Sequence, residues 1–296
     1  MRREHCVSIH ALSPTLVSYH GGHTLFDGKG TPEDFVRAAI DKGFRALGFS
    51  EHMPAPEKYP YPDFPAPAEA RRLFDGYVEE VTRLKAEYAR ELPILLGIET
   101  EYLPDEEHYV ADFVRSYPFD YVVGSVHHVA GTGIDYIPED YNALAERLGG
   151  LDALAIEYYR MVRGLLELGI TDVLGHLDLI DIFAPERPVA DELAQAEDET
   201  LAAAKRWDVV LDVNARGLIK PCAHIYPCAR LLRKACVAGI PVTLGDDSHA
   251  PEQVGARLHE ALSHIQAAGY THLTALFPKK QGLARRELPL WTTSSD

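Results

Sequence analysis

Short apolar runs alternate with longer amphipathic stretches along most of the chain. The short runs predict strands at residues 16–20, 46–50, 94–99, 121–127, 172–176, 209–214 and 242–246. Between them, apolar positions recurring at three- and four-residue intervals predict helices at 32–42, 68–90, 106–116, 152–168, 190–206, 227–238 and 251–267. Local punctuation agrees. Thr31-Pro32-Glu33-Asp34 supplies an N-cap, a proline at the first helical position and acids in the first turn. Gly43, Gly169 and Gly239 follow predicted helix ends, where a left-handed cap is expected.

Strand and helix alternating seven times imply a parallel sheet, and that count favours a closed or nearly closed barrel over an open doubly wound sheet. Two insertions interrupt the rhythm. Residues 54–67 are rich in proline and tyrosine, and residues 131–150 are glycine-rich and polar. Both follow predicted strands, so both belong on the face where barrel enzymes carry their active sites. No repeat or interdomain linker intervenes, and one domain over residues 1–296 is the simplest organisation.

Composition narrows the function. The net charge of −16 opposes nucleic-acid binding, and an anionic substrate would need local cations. Four cysteines (Cys6, Cys222, Cys228, Cys236) form no CxxC pair and read as reduced thiols. Residues 1–18 lack the apolar core of a signal peptide, and no apolar stretch is long enough to cross a membrane. A cytoplasmic location is expected.

The histidines carry the chemistry. Of 14, six end or closely follow predicted strands: His20, His23, His52, His127, His176 and His249. Glu99 ends the third strand, and Asp246 and Asp247 end the seventh. A parallel barrel gathers all strand C-termini on one rim, so these distant groups become neighbours. Imidazoles and carboxylates crowded together lose solvation unless a cation joins them, and their nitrogens and oxygens suit zinc, iron or manganese. They are too many for one ion. Two or three divalent ions are expected, an arrangement suited to phosphate ester hydrolysis.

Six segments are similar to the polymerase-and-histidinol-phosphatase (PHP) family, in particular to its histidinol-phosphate phosphatase branch. They are His20-Gly-Gly-His23-Thr24, Phe49-Ser-Glu-His52-Met-Pro54, Gly97-Ile-Glu99, Gly124-Ser-Val-His127-His128, Gly175-His176-Leu-Asp178 and Gly245-Asp-Asp247-Ser-His249. Leu211-Asp-Val-Asn-Ala-Arg-Gly-Leu218 also resembles that branch. The resemblance implies an α/β fold, a distorted (β/α)7 TIM-like barrel, with a metal site at its C-terminal rim. It implies metal ligands at His20, His23, His52, Glu99, His127, His176, Asp247 and His249. It also implies hydrolysis of a small phosphorylated substrate, L-histidinol phosphate, in histidine biosynthesis.

The chain departs from the family pattern twice. The first motif is normally His-x-His, whereas two glycines separate His20 from His23, so a regular strand would aim them oppositely. A glycine-supported bulge or turn would realign them. Where relatives supply another histidine, this chain has Phe26-Asp27-Gly28-Lys29, and Asp27 is the substitute oxygen ligand.

Other rim residues have two readings each. Arg216 and Lys220 hold the substrate phosphate or are solvated cations. His128 and Asp247 are candidates for moving the leaving group's proton, and His128 alternatively packs below the rim. Glu51 and Glu101 either pair with an ammonium group or orient ligand imidazoles. Tyr59, Tyr61 and Phe64 cover the substrate or form a satellite core. Rival functions are a phosphoesterase for small nucleotides, an amidohydrolase-type barrel, and a barrel that has lost catalysis.

Overall fold

The computed structural model describes residues 12–59, 61, 64–184, 189–279 and 282–293, which leaves Cys6 outside the described residues. Seven parallel strands form its central sheet: β1 (Val17–Ser18), β2 (Ala46–His52), β3 (Ile94–Glu101), β4 (Tyr121–Ser125), β5 (Val173–Leu174), β6 (Val210–Asn214) and β7 (Val242–Gly245). Each pairs with its sequence neighbours. The two outer strands also meet, since Tyr19 N–H donates to Leu244 O at 3.1 Å and Asp247 N–H to His20 O at 2.8 Å. The barrel is nearly closed.

Strands covered on both faces read as continuous apolar runs, and β3 and β4 are buried along their whole length. Tyr121 fills the barrel interior beside Gly48 and Gly97, where an added Cβ would lie 2.3 Å and 2.4 Å from it. Around the barrel run α1 (Pro32–Asp41), α2 (Pro67–Glu87), α3 (Glu107–Arg115), α4 (Pro138–Leu148), α5 (Leu151–Glu167), α6 (Asp191–Arg206), α7 (Ala229–Ala238) and α8 (Leu258–Ala267). Thr31 and Asp34 form the capping box that the sequence offers.

Three expectations need correction. The stretch 131–150 is not simply a loop, because α4 occupies its second half. The last predicted helix is broken: Pro251–Gln253 is a single 3-10 turn, and α8 starts only at Leu258. Gly255 and Arg257, at φ +73° and +60°, cannot continue a right-handed helix. Finally, β1 and β5 are shorter than predicted, and the chain leaves the ladder before reaching His20 and His176.

Beyond α8, strands His272–Pro278 and Leu283–Pro289 form an antiparallel hairpin. Tyr19 joins it to the barrel, its hydroxyl donating to Leu276 O at 2.7 Å and accepting from Leu276 N at 2.8 Å. Among the described residues, no helix is long and apolar enough to cross a membrane.

Candidate metal centre

Glu99, at the C-terminal end of β3, is the hub of the rim. Its Oε1 lies 3.1 Å from His20 Nε2, 3.2 Å from His176 Nε2 and 3.5 Å from His127 Nε2. Its Oε2 lies 2.9 Å from His52 Nδ1. Ser125 Oγ donates to Oε1 at 2.6 Å and fixes the carboxylate between strands.

His23 reaches the cluster because the backbone turns sharply after His20. Gly21 and Gly22 both have positive φ, +147° and +76°. Gly22 and His23 N–H both donate to Ser248 O at 3.0 Å. The turn places the two rings 5.9 Å apart and slots His23 between His52 and His249, stacked at 4.2 Å and 4.3 Å. The predicted realignment is therefore a glycine turn pinned to the loop after β7. Asp27 also joins the rim, 3.0 Å from His249 Nε2 and 3.6 Å from His52 Nε2.

Outer carboxylates set the direction of the imidazoles. Asp212 Oδ2 faces His20 Nδ1 at 2.7 Å, and Glu101 Oε2 faces His127 Nδ1 at 2.8 Å. With a metal bound, each such contact would keep the proton on Nδ1 and leave Nε2 to face the centre, the usual support for a metal-bound histidine. Glu51 accepts from Thr24 N and Leu25 N at 2.6 Å and 2.9 Å, beside His23. Glu101 therefore orients a ligand imidazole, whereas Glu51 fixes the backbone just after His23. Asp212 escaped the sequence reading, although a lone carboxylate inside an apolar strand was its signal.

The electrostatics call for positive charge. Burial works against charge on His127, but Glu101 and then Glu99 outweigh it and push its pKa up to about 9. His20 and His52 rise well above their ordinary value: burial opposes this, and Glu99 with Asp212 or Asp27 prevails. His23, buried and beside His52 and His249, falls to about 4. Burial would raise Glu99, yet the surrounding histidines hold it well below the usual carboxylate range.

The donor set fits metal ions. Among the described residues, three groups have ligand atoms mutually within 4.8 Å: His23, His52 and His249; His20, His23 and Glu99; and Glu99, His127 and His176. His20 Nε2, both His23 nitrogens and Glu99 Oε2 are buried with no hydrogen-bond partner, although their neighbours stand within 2.9–3.8 Å. Orphaned nitrogens and carboxylate oxygens converging on shared space are the donor set that a cation would satisfy together.

The cluster floors a cavity of about 260 Å³. Asp27, Asp247 and His249 line it together with Arg216, Lys220, Tyr61, Phe64 and Tyr136. Arg216 Nη1 donates to Gln253 Oε1 at 3.1 Å, which aims the guanidinium. Asn214 Nδ2 donates to Asp247 Oδ2 at 3.4 Å. Other candidates lie off the cavity. His128 packs edge-on against Tyr61 and, with Tyr59, lines a neighbouring one. Cys222 is a free, buried thiol 3.0 Å from the Tyr226 hydroxyl, away from the ligand groups.

Imidazoles gathered around a shared glutamate on the rim of a parallel barrel define a metal-dependent hydrolase site. The chain belongs to the PHP domain family, whose sequence profile matches residues 18–216. It is 35% identical over 253 residues to a probable histidinol-phosphatase of Deinococcus radiodurans, covering 85% of this chain and 93% of the relative. A probable histidinol-phosphatase of Schizosaccharomyces pombe is 33% identical over 264 residues, covering 86% of both chains. The fold is similar to that of histidinol phosphate phosphatase from Lactococcus lactis, solved with zinc, L-histidinol and phosphate. That likeness has a TM-score of 0.74 at 23% identity, over 92% of this chain and 100% of the other.

Proposed function

We propose that the protein hydrolyses L-histidinol phosphate to L-histidinol and inorganic phosphate, a step of cytoplasmic histidine biosynthesis. The observation that carries this reading is the union of a histidine–carboxylate cluster with two cations, Arg216 and Lys220, around one cavity. The names of relatives that align along most of the chain point the same way.

His20, His23, Asp27, His52, Glu99, His127, His176, Asp247 and His249 are the residues that would hold two or three divalent ions of zinc, iron or manganese. Bound there, such ions supply Lewis acidity, stabilising charge on phosphoryl oxygens and making water more acidic. The chain does the rest. Arg216, with a fork matched to phosphate oxygens, and Lys220 hold the transferred group in line with attack. Asp247 is the carboxylate placed to take the proton of the attacking water and return it to the departing alcohol oxygen. His128, the other candidate, lies off the cavity and supports the aromatic wall. Tyr61 and Phe64 cover the imidazole end and limit water.

The test is kcat/KM for L-histidinol phosphate beside nucleoside monophosphates. Selectivity of roughly a hundredfold or more for histidinol phosphate is expected from a cavity shaped to one substrate. Equal or better turnover of the nucleotides would overturn the assignment.

A further inference from the structure

Asp135 differs from the other carboxylates around the cavity. Asp27, Glu99 and Asp247 each stand against imidazoles of the metal cluster. Asp135 belongs to none of the ligand groups, yet it lines the same cavity. Its Oδ1 is buried and has no hydrogen-bond partner. A buried carboxylate oxygen with nothing to accept from is costly, and a natural protein usually keeps one for a ligand.

Its placement is built into the fold. After β4 the chain makes a small hairpin, His128–Val129 paired with Thr132–Gly133. Ile134 N–H then donates to His127 O at 2.9 Å, anchoring the return strand beside a metal ligand. Ile134 is fully buried, and the next residue, Asp135, lines the cavity. Its charge is felt by Tyr61, Tyr136, Tyr226 and His127, which surround that space.

From this geometry we infer that Asp135 is a specificity-determining residue that binds the substrate's primary ammonium group. The inference rests on the histidinol-phosphate reading above. That substrate carries a phosphate, an imidazole and an amine. Arg216 and Lys220 match the first, and the rings of Tyr61 and Phe64 match the second. Between imidazole and amine, the amine is the permanent cation near neutral pH, because imidazole titrates near 6.5 and a primary amine well above it. A carboxylate losing its hydration is best compensated by that permanent charge.

The experiment compares L-histidinol phosphate with imidazolylpropyl phosphate, which lacks only the amine, in wild type and Asp135→Asn. A charge-assisted hydrogen bond lost from the transition state should lower kcat/KM for histidinol phosphate about ten- to a hundredfold in the variant. The ester without the amine should change by less than about twofold, since it never made the contact. Calorimetric binding of L-histidinol should weaken in parallel, while inhibition by inorganic phosphate and metal content stay as in wild type. Equal losses on both esters, or no loss on either, would overturn the role of Asp135. Absence of histidinol phosphate turnover in the wild type would instead sink the substrate reading beneath it.

Discussion

Gly22 tests how the unusual first motif works. Its φ is +76°, and an added Cβ would lie 2.6 Å from Cδ1 of Phe49, a fully buried ring on β2. Gly131 has the same φ, +76°, but no atom within 4 Å of where its Cβ would stand. Alanine at Gly131 therefore meets only the left-handed backbone penalty, about 1–2 kcal/mol. Alanine at Gly22 meets that penalty and an overpacked core, about 1–3 kcal/mol more. The added strain falls where His23 is tied to Ser248 O, so the ring should leave its slot between His52 and His249. Urea unfolding of the metal-free variants measures the difference in stability, and elemental analysis of the reconstituted proteins measures the consequence. Gly22→Ala should be the less stable by about 1–3 kcal/mol and should bind less metal, while Gly131→Ala keeps wild-type metal content. Equal stability and equal metal content in the two variants would refute the idea that the turn positions His23.

Two further outcomes follow from the same geometry. Asp212→Asn keeps the size of the side chain but removes the anion behind His20, so metal affinity should fall roughly ten- to a hundredfold with the barrel still folded; affinity unchanged in metal titrations would show that Asp212 does not orient His20. Arg216→Ala should lower kcat/KM roughly ten- to a hundredfold and weaken phosphate inhibition with metal content intact, and Arg216→Lys should recover only part, because the ammonium loses the fork. Wild-type kinetics in the alanine variant would make Arg216 a surface cation.

Much of the barrel was legible because its strands are short apolar runs whose ends carry unlike residues. Phe49-Ser-Glu-His52 and Gly97-Ile-Glu99 switch from apolar to chemical residues where the strand reaches the rim. Parallel topology then supplies the juxtaposition without any knowledge of side-chain geometry. What local pattern could not show was set by distant partners. The turn at Gly21 and Gly22 depends on Ser248, more than two hundred residues away. The hairpin His272–Pro278 with Leu283–Pro289 alternates weakly, Ala284-Arg-Arg-Glu-Leu288, and one face packs on the barrel through Tyr19. In α4, the start signal Pro138-Glu139-Asp140 was masked by the glycines on either side of it. Asp135 carried no signal at all, because a loop aspartate is ordinary until the fold buries one of its oxygens.

The central claim is that several ions share one histidine–carboxylate cluster, and anomalous scattering from crystals of the active protein, with elemental analysis of the same sample, tests it most directly. The account predicts more than one transition metal per chain, with peaks among His20, His23, His52, Glu99, His127, His176 and His249. Full activity with one metal or fewer per chain, or with peaks elsewhere, would contradict it.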